Sequence, residues 1–321
     1  MAPPPSLTAV PGLTAGHWSD PAAGTGCTVV LAPAEGMSGG VYVYGRAAGT
    51  REFDALSSRH IVPRIHAILL TGGSAYGLGA ADGVMRWLRE RGRGFKVGDV
   101  GVVPIVPAAV LFDLGPIGAA DRWPGPDEGY AACDAAGTEV AEGSVGAGTG
   151  ATVGKALGIE RAMKGGVGTW AVRQGGLVVG ALAVTNAYGD VVDPQGRVLA
   201  GAREGTGFAD ARARLAAGTP PTSRFGNTTL AVVATNAALE RGTLGDVARA
   251  AADALSWRIR PVGTAVDGDV VFAVSAGELE IPNPLRVELA AQDVLAVAIE
   301  RAVTQARGLG GVPGLADARR A

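Results

Sequence analysis

Glycine constrains this chain more than any other residue. There are 51 glycines in 321 residues, dispersed among apolar, alanine-rich runs rather than gathered into a linker. Glycine admits backbone conformations and close approaches that a side chain would block. Many glycines among small apolar residues therefore imply tightly packed layers joined by sharp turns. Hydrophobic residues make up 47% of the chain and charged residues 18%, enough for a thick buried core. By length alone the chain is one large domain or two small ones. It shows no fixed-period repeat.

Apolar, β-branched runs mark strands at Thr28–Leu31, Val41–Tyr44, Ile65–Leu70, Val102–Val106, Thr169–Val172, Leu177–Thr185, Thr229–Thr235 and Val270–Val274. Helical spacing falls between them, over Tyr76–Arg91, Glu128–Glu142, Val247–Ile259 and Leu285–Ala306. Thr243 and Asp246 are placed to form a capping box ahead of the third. Strands this uniformly apolar belong to sheets buried on both faces. Two stacked sheets between helical layers fit this mixed α/β pattern.

Several classes of function are excluded. A net charge of −2 with scattered Lys and Arg gives no footprint for nucleic acid or an anionic membrane. Cys27 and Cys133 are too few and too far apart for a disulfide framework or a zinc site. With His17, His60 and His66 as the remaining soft ligands, no metal site is expected. The start of the chain has no basic segment followed by an apolar run, and no long uncharged apolar stretch follows. A cytoplasmic protein is expected. The stretch Gly150–Ala156 departs from a phosphate loop: three residues separate its glycines, and Ala156 stands where Ser or Thr would bind magnesium. Gly77–Gly83 has one residue too many for a dinucleotide fingerprint. No cofactor is expected.

The segment Gly218–Gly226 is polar and turn-forming, and it runs directly into Asn227-Thr228-Thr229, where a strand begins. It reads either as a linker or as a processing site. A threonine hydroxyl needs an adjacent base, and no histidine lies in a suggestive context. An N-terminal threonine supplies its own base, because a free α-amine has a pKa of about 7.7–8.0. Such chemistry at Thr228 requires cleavage after Asn227.

The segment Phe-Gly-Asn227-Thr228-Thr229-Leu-Ala-Val-Val-Ala-Thr-Asn236 resembles the cleavage-and-nucleophile segment of the L-aminopeptidase/D-esterase family. That family includes β-peptidyl aminopeptidases and nylon-oligomer hydrolases, and the Asn-Thr-Thr form is most similar to the nylon-oligomer branch. Gly72-Gly73-Ser74-Ala75-Tyr76-Gly77-Leu78 resembles the family's strand-to-helix turn. Gly146–Gly154 leading to Lys155 resembles its second Gly-rich loop. Ala183-Val184-Thr185-Asn186 resembles its strand ending in asparagine, and Val266-Asp267-Gly268-Asp269 its acidic pair. The motifs keep the family's order from about residue 10 to 305, with a shortened N-terminal arm as the main departure from the nylon-oligomer enzymes.

The resemblance implies a four-layer αββα sandwich that forms homo-oligomers, as expected tetramers. It implies a single catalytic domain processed into residues 1–227 and 228–321. Thr228 would be the nucleophile and Asn186 the oxyanion donor. Asp267 and Asp269 would orient the amine and hydroxyl, Lys155 would stabilise the anionic side of the site, and Tyr76 would border the substrate cleft. Each residue also has an ordinary reading: Asp267-Gly268-Asp269 as a hairpin turn, Asn186 as a turn residue, Lys155 as an exposed lysine and Tyr76 as core packing. The substrate would be a small amide, peptide or ester. Ornithine acetyltransferases are similar in fold and also expose a threonine by self-cleavage, but they transfer acetyl groups. A binding or scaffold protein of the same fold would have lost its nucleophile, and here Thr228 is present.

Overall fold

The long central strands carry two different apolar faces. In Leu177–Asn186, every residue is buried: Val178, Leu182 and Val184 join one core cluster, and Val179, Ala181 and Ala183 another. Side chains alternate across a strand, so a strand buried throughout must be covered on both sides. The computed structural model describes residues 5–222 and 226–317, and within them it shows what does the covering.

One sheet has strand order β1-β2-β5-β6-β4, where β1 is Thr14–Asp20, β2 Thr25–Leu31, β4 Gly49–Arg51, β5 Ala67–Thr71 and β6 Ala108–Val110. The other has order β7-β8-β9-β10-β3, with β3 Ser38–Val43, β7 Gly166–Gln174, β8 Leu177–Asn186, β9 Thr228–Ala237 and β10 Val270–Leu279. Val30, Ile68 and Leu70 of the first sheet meet Leu182, Val232 and Phe272 of the second in the inner core. The first sheet's outer face packs on α1 (Ala80–Glu90) and α2 (Pro126–Asp134) through Val29, Leu69, Val84 and Ala132. The second sheet's outer face packs on α3 (Arg241–Ala251), α4 (Asp253–Arg258) and α5 (Leu285–Thr304) through Ala181, Ala231, Val247 and Val294. This is the expected αββα order. No helix is long and apolar enough to cross a membrane among the described residues.

The glycines do let the layers approach closely. A Cβ on Gly83 of α1 would lie 1.6 Å from the carbonyl oxygen of Pro126, and one on Gly129 of α2 would lie 2.0 Å from that of Ala80. Each helix thus meets the other's backbone where the other lacks a side chain.

Several expected boundaries move. The helix expected from Tyr76 opens as a 3₁₀ segment, Ser74–Gly79, since two glycines weaken the α-helix there. The helix expected over Glu128–Glu142 begins earlier, with Pro126 in its first turn and Glu128 returning a bond to the Gly125 N–H at 2.8 Å. It also ends earlier, because Gly137 leaves to pair with Ala15. Thr243 caps nothing. Leu244 and Val247 share the buried face, so α3 starts at Arg241, and the chain breaks at Ala252 before α4. The strand expected over Val102–Val106 shrinks to Gly101–Val103, ended by Pro104.

Candidate active site

Strand order places the chemistry. β8 and β9 are antiparallel, so the end of β8 lies beside the start of β9, with Asn186 opposite Thr228. β9 and β10 are parallel, so the run Asp267-Gly268-Asp269 just before β10 also arrives beside Thr228. Asn227 and Asp267 extend that pairing by one bridge. Lys155 follows Gly154, whose left-handed backbone (φ 73°) turns the chain into a short 3₁₀ segment facing the same edge.

The Thr228 hydroxyl is 2.6 Å from the carbonyl oxygen of Asn227, to which it donates. That oxygen also accepts the backbone N–H of Gly268 at 2.8 Å. One residue back, the Gly226 carbonyl accepts from Lys155 Nζ at 2.7 Å and from Asn186 Nδ2 at 3.1 Å. Asn186 Oδ1 accepts from the Thr152 N–H at 3.0 Å and from Lys155 Nζ at 2.8 Å, which fixes the amide with its Nδ2 toward Gly226 and Phe112.

The two aspartates are buried and held differently. Asp267 accepts the backbone N–H and hydroxyl of Thr264, at 2.8 and 2.7 Å. Asp269 accepts the Thr229 N–H at 2.6 Å through Oδ1, while its buried Oδ2 has no hydrogen-bond partner among the described residues. Burial, and then the Asp267 carboxylate, push Asp269 up to about 8; burial also raises Asp267. Burial holds Lys155 down to about 7, against the opposing pull of the Asp267 and Asp269 charges. Asn227 Oδ1 and Thr229 Oγ1 are likewise buried without a partner among the described residues. Unpaired buried polar atoms are rare in stable structure, and their gathering around one peptide bond marks a site.

A cleft of 310 Å³ opens onto Asn227 and Thr228, walled by Ala47, Gly49, Ser74, Val110, Phe112 and Val266. A larger cavity of 650 Å³ beside Glu142 and Arg307 holds none of these groups; the chemistry selects the smaller one.

Of the residues singled out from sequence, Thr228, Asn227, Asn186, Lys155, Asp267 and Asp269 come together. Tyr76 does not join them. It is 63% exposed and stacks on Trp123, ring centres 4.5 Å apart, while Ser74 and Ala75 form the cleft wall instead. Phe225 of the cleavage motif lies outside the described residues. His17, half-buried, and His66, buried, lie elsewhere, bonded to Thr28 and the Ile105 N–H, and desolvation lowers each to about 4. Among the described residues, no group of three or more His, Cys, Asp and Glu side chains is arranged to hold a metal.

Sequence reasoning missed a second tier. Lys164 is fully buried and donates to the carbonyls of Gly148, Thr149 and Ala151, at 3.3, 2.7 and 2.6 Å. It thereby fixes the loop that delivers Thr152 to Asn186. Asp113 accepts from Thr25 Oγ1 at 2.8 Å and from the Gly73 N–H at 2.7 Å, which anchors the turn carrying Ser74. Ser74 itself has a left-handed backbone, φ 52°, uncommon for a side-chain-bearing residue. The available signal was one lone charge inside each apolar run.

Comparison with known proteins gives the family and the fold. Residues 5–315 match the family described as peptidase family S58. An uncharacterised aminopeptidase of Mycobacterium bovis is 43% identical, over 97% of this chain and 97% of its own length. A 6-aminohexanoate-oligomer endohydrolase of a Kocuria species is 31% identical, over 85% of this chain and 75% of its own. The nylon-oligomer likeness expected from Asn-Thr-Thr is therefore present, but weaker than the mycobacterial one. In fold, the chain is similar to the L-aminopeptidase D-Ala-esterase/amidase of Ochrobactrum anthropi. The TM-score is 0.73 at 21% identity, covering 97% of this chain and 89% of that one. A β-aminopeptidase of a Burkholderia species gives a TM-score of 0.72 at 21% identity, covering 99% and 94%.

Proposed function

The chain belongs to peptidase family S58, and on that premise we propose that it is an aminopeptidase made active by its own cleavage after Asn227. The observation that carries the proposal is the Thr228 hydroxyl, 2.6 Å from the Asn227 carbonyl oxygen in the intact chain.

In the first stage Thr228 Oγ1 attacks the Asn227 carbonyl carbon. The C–N bond breaks, and the departing nitrogen, gaining a proton, becomes the α-amine of Thr228. Water hydrolyses the resulting ester, leaving a carboxylate on Asn227 and restoring the hydroxyl. Residues 1–227 and 228–321 then remain as two chains of one domain.

In the second stage the same hydroxyl attacks a substrate amide or ester. The freed amine takes its proton and passes it to the leaving group, and water resolves the acyl-enzyme. Asp269 and Asp267 hold the start of β9 and offset the charge of the amine. Asn186 and Lys155, no longer engaged by Gly226, face the incoming carbonyl. The small, uncharged cleft wall suits a short aminoacyl group. The intact nucleophile argues against a scaffold role, and membership of a peptidase family favours hydrolysis over acetyl transfer. Self-association as a homotetramer is part of the same reading, and light scattering measures it.

The test is hydrolysis of a panel of small L-, D-, β- and ω-aminoacyl amides and esters, with Thr228→Ala as control. Release from at least one class by the parent, and none by the control, supports the reading. A folded, cut protein inert on the whole panel contradicts it.

A further inference from the structure

The side chains expected to hold an oxyanion are occupied one residue away from the bond to be cut. Asn186 Nδ2 donates to Phe112 and Gly226, both at 3.1 Å, and Lys155 Nζ reaches Gly226 at 2.7 Å. The oxygen that must become an anion, that of Asn227, receives two donors among the described residues: the Thr228 hydroxyl and the Gly268 N–H. The hydroxyl is the nucleophile, and once it attacks it no longer donates. Asn227 is 2% exposed, which leaves little access for solvent to replace it. We infer that the backbone N–H of Gly268 is the oxyanion donor for self-cleavage, and that Asn186 and Lys155 act on substrate only after the Gly226–Asn227 segment has withdrawn. The inference rests on the reading that Thr228 cuts the chain after Asn227.

The position needs glycine. A Cβ on residue 268 would lie 2.8 Å from Thr228 Oγ1 and 2.8 Å from the carbonyl oxygen of Ala47. Donor and nucleophile can share the space only because no side chain is there. The donor is also held in place from both sides. Thr264 binds the Asp267 carboxylate, and the Asp269 carboxylate binds the Thr229 N–H. A donor fixed before reaction stabilises developing charge without reorganising. The same bond also continues the pairing of β9 with β10 toward the cut, since Asn227 and Asp267 form a parallel bridge. A bond that only pairs strands supports stability; an oxyanion donor sets a rate.

Replacing Gly268 by glycolic acid in the full chain converts its amide to an ester, which removes the N–H and weakens the Asp267 carbonyl that accepts the Ala47 N–H at 2.9 Å. Cleavage is followed by intact mass, beside the parent and Gly268→Ala. Thermal unfolding of parent and ester chains, both carrying Thr228→Ala, measures what the bond contributes to folding alone. The expected result is cleavage slowed by about 10²–10³, the usual effect of losing one oxyanion donor, with melting temperatures a few degrees apart. Gly268→Ala is expected to slow cleavage at least tenfold by crowding the hydroxyl. An ester chain that cuts within tenfold of the parent overturns the inference. Should the ester chain not fold, Gly268→Ala cutting at the parent's rate overturns it. A parent chain that never cuts removes the underlying reading instead.

Discussion

Lys155 and Asn186 are bonded to each other twice: the lysine Nζ donates to the asparagine Oδ1 at 2.8 Å and to its backbone carbonyl at 3.0 Å. Both residues also grip Gly226. Lys155→Met removes a donor from three acceptors, of which Asn186 Oδ1 keeps the Thr152 N–H and the Gly226 carbonyl keeps Asn186 Nδ2. Losing the donor to one buried carbonyl costs about 1–3 kcal/mol, which is the expected loss. Denaturant titration measures it. The expected companion effect is a fall of about 100-fold or more in kcat of whatever fraction cuts, because Asn186 is no longer oriented.

Titration of the buried groups gives stability a defined pH dependence. Asp269 lies at about 8 and Asp113 at about 6 in the folded chain, both raised first by burial. Each binds its proton more tightly when folded, so its contribution is complete below the unfolded carboxyl value and is lost as pH rises through the folded one. Lys155 and Lys164 lie at about 7, lowered by burial, so their cost to folding is present at low pH and disappears as pH rises from about 7 past 10. Asp269 and Asp113 therefore lower stability as pH rises between about 4 and 8, while His17 and His66, held down to about 4, raise it between about pH 4 and 6.5 and the two lysines raise it above about 7. Removing the opposing contribution by Asp269→Asn should make stability rise more steeply with pH than in the parent between about pH 4 and 8, measured by unfolding titrations. An unchanged profile contradicts the placement of Asp269.

Lys164 touches no reacting atom, yet its three carbonyl partners set the loop that aims Thr152 at Asn186. Lys164→Met is expected to destabilise the chain by about 2–4 kcal/mol, from unsatisfied carbonyls and the loss of a cation near Asp113. In the cut enzyme kcat should fall while KM changes little. A stability loss with unaltered kcat would make Lys164 purely structural.

The helix pair α1 and α2 offers a control remote from the site. Gly83→Ala places a methyl against the Pro126 carbonyl, and overpacking of this kind costs about 1–3 kcal/mol. The melting temperature is expected to drop while the rate of self-cleavage, measured well below the transition, stays at the parent's value.

The central strands were legible because burial on both faces writes itself as an unbroken apolar run, as in Leu177–Asn186. Helix ends were not, because alanine marks neither a start nor a stop; Gly137 and Ala252 decide them through pairing and packing. Lys155 and Tyr76 show the limit on side chains. Ordinary expectation exposes a lysine and buries a tyrosine, yet Lys155 is 4% exposed and Tyr76 63%. Motif order groups Lys155 and Tyr76 alike, whereas Lys155 lies against Gly226 and Tyr76 against Trp123, since order along the chain does not say which residue of a turn faces the cleft. In the sequence Gly268 reads only as the spacer between two aspartates; its bond to Asn227 depends on the parallel pairing of β9 with β10.

The central claim is that the Asn227–Thr228 bond is cut by Thr228 itself. Intact mass of the purified full chain, followed over time beside Thr228→Ala and Thr228→Ser, tests it most directly. The parent should resolve into two masses that meet between Asn227 and Thr228. Thr228→Ser should do the same at its own rate, and Thr228→Ala should remain one chain with its fold intact. A parent that stays whole, or a Thr228→Ala chain that cuts at the same bond, contradicts it.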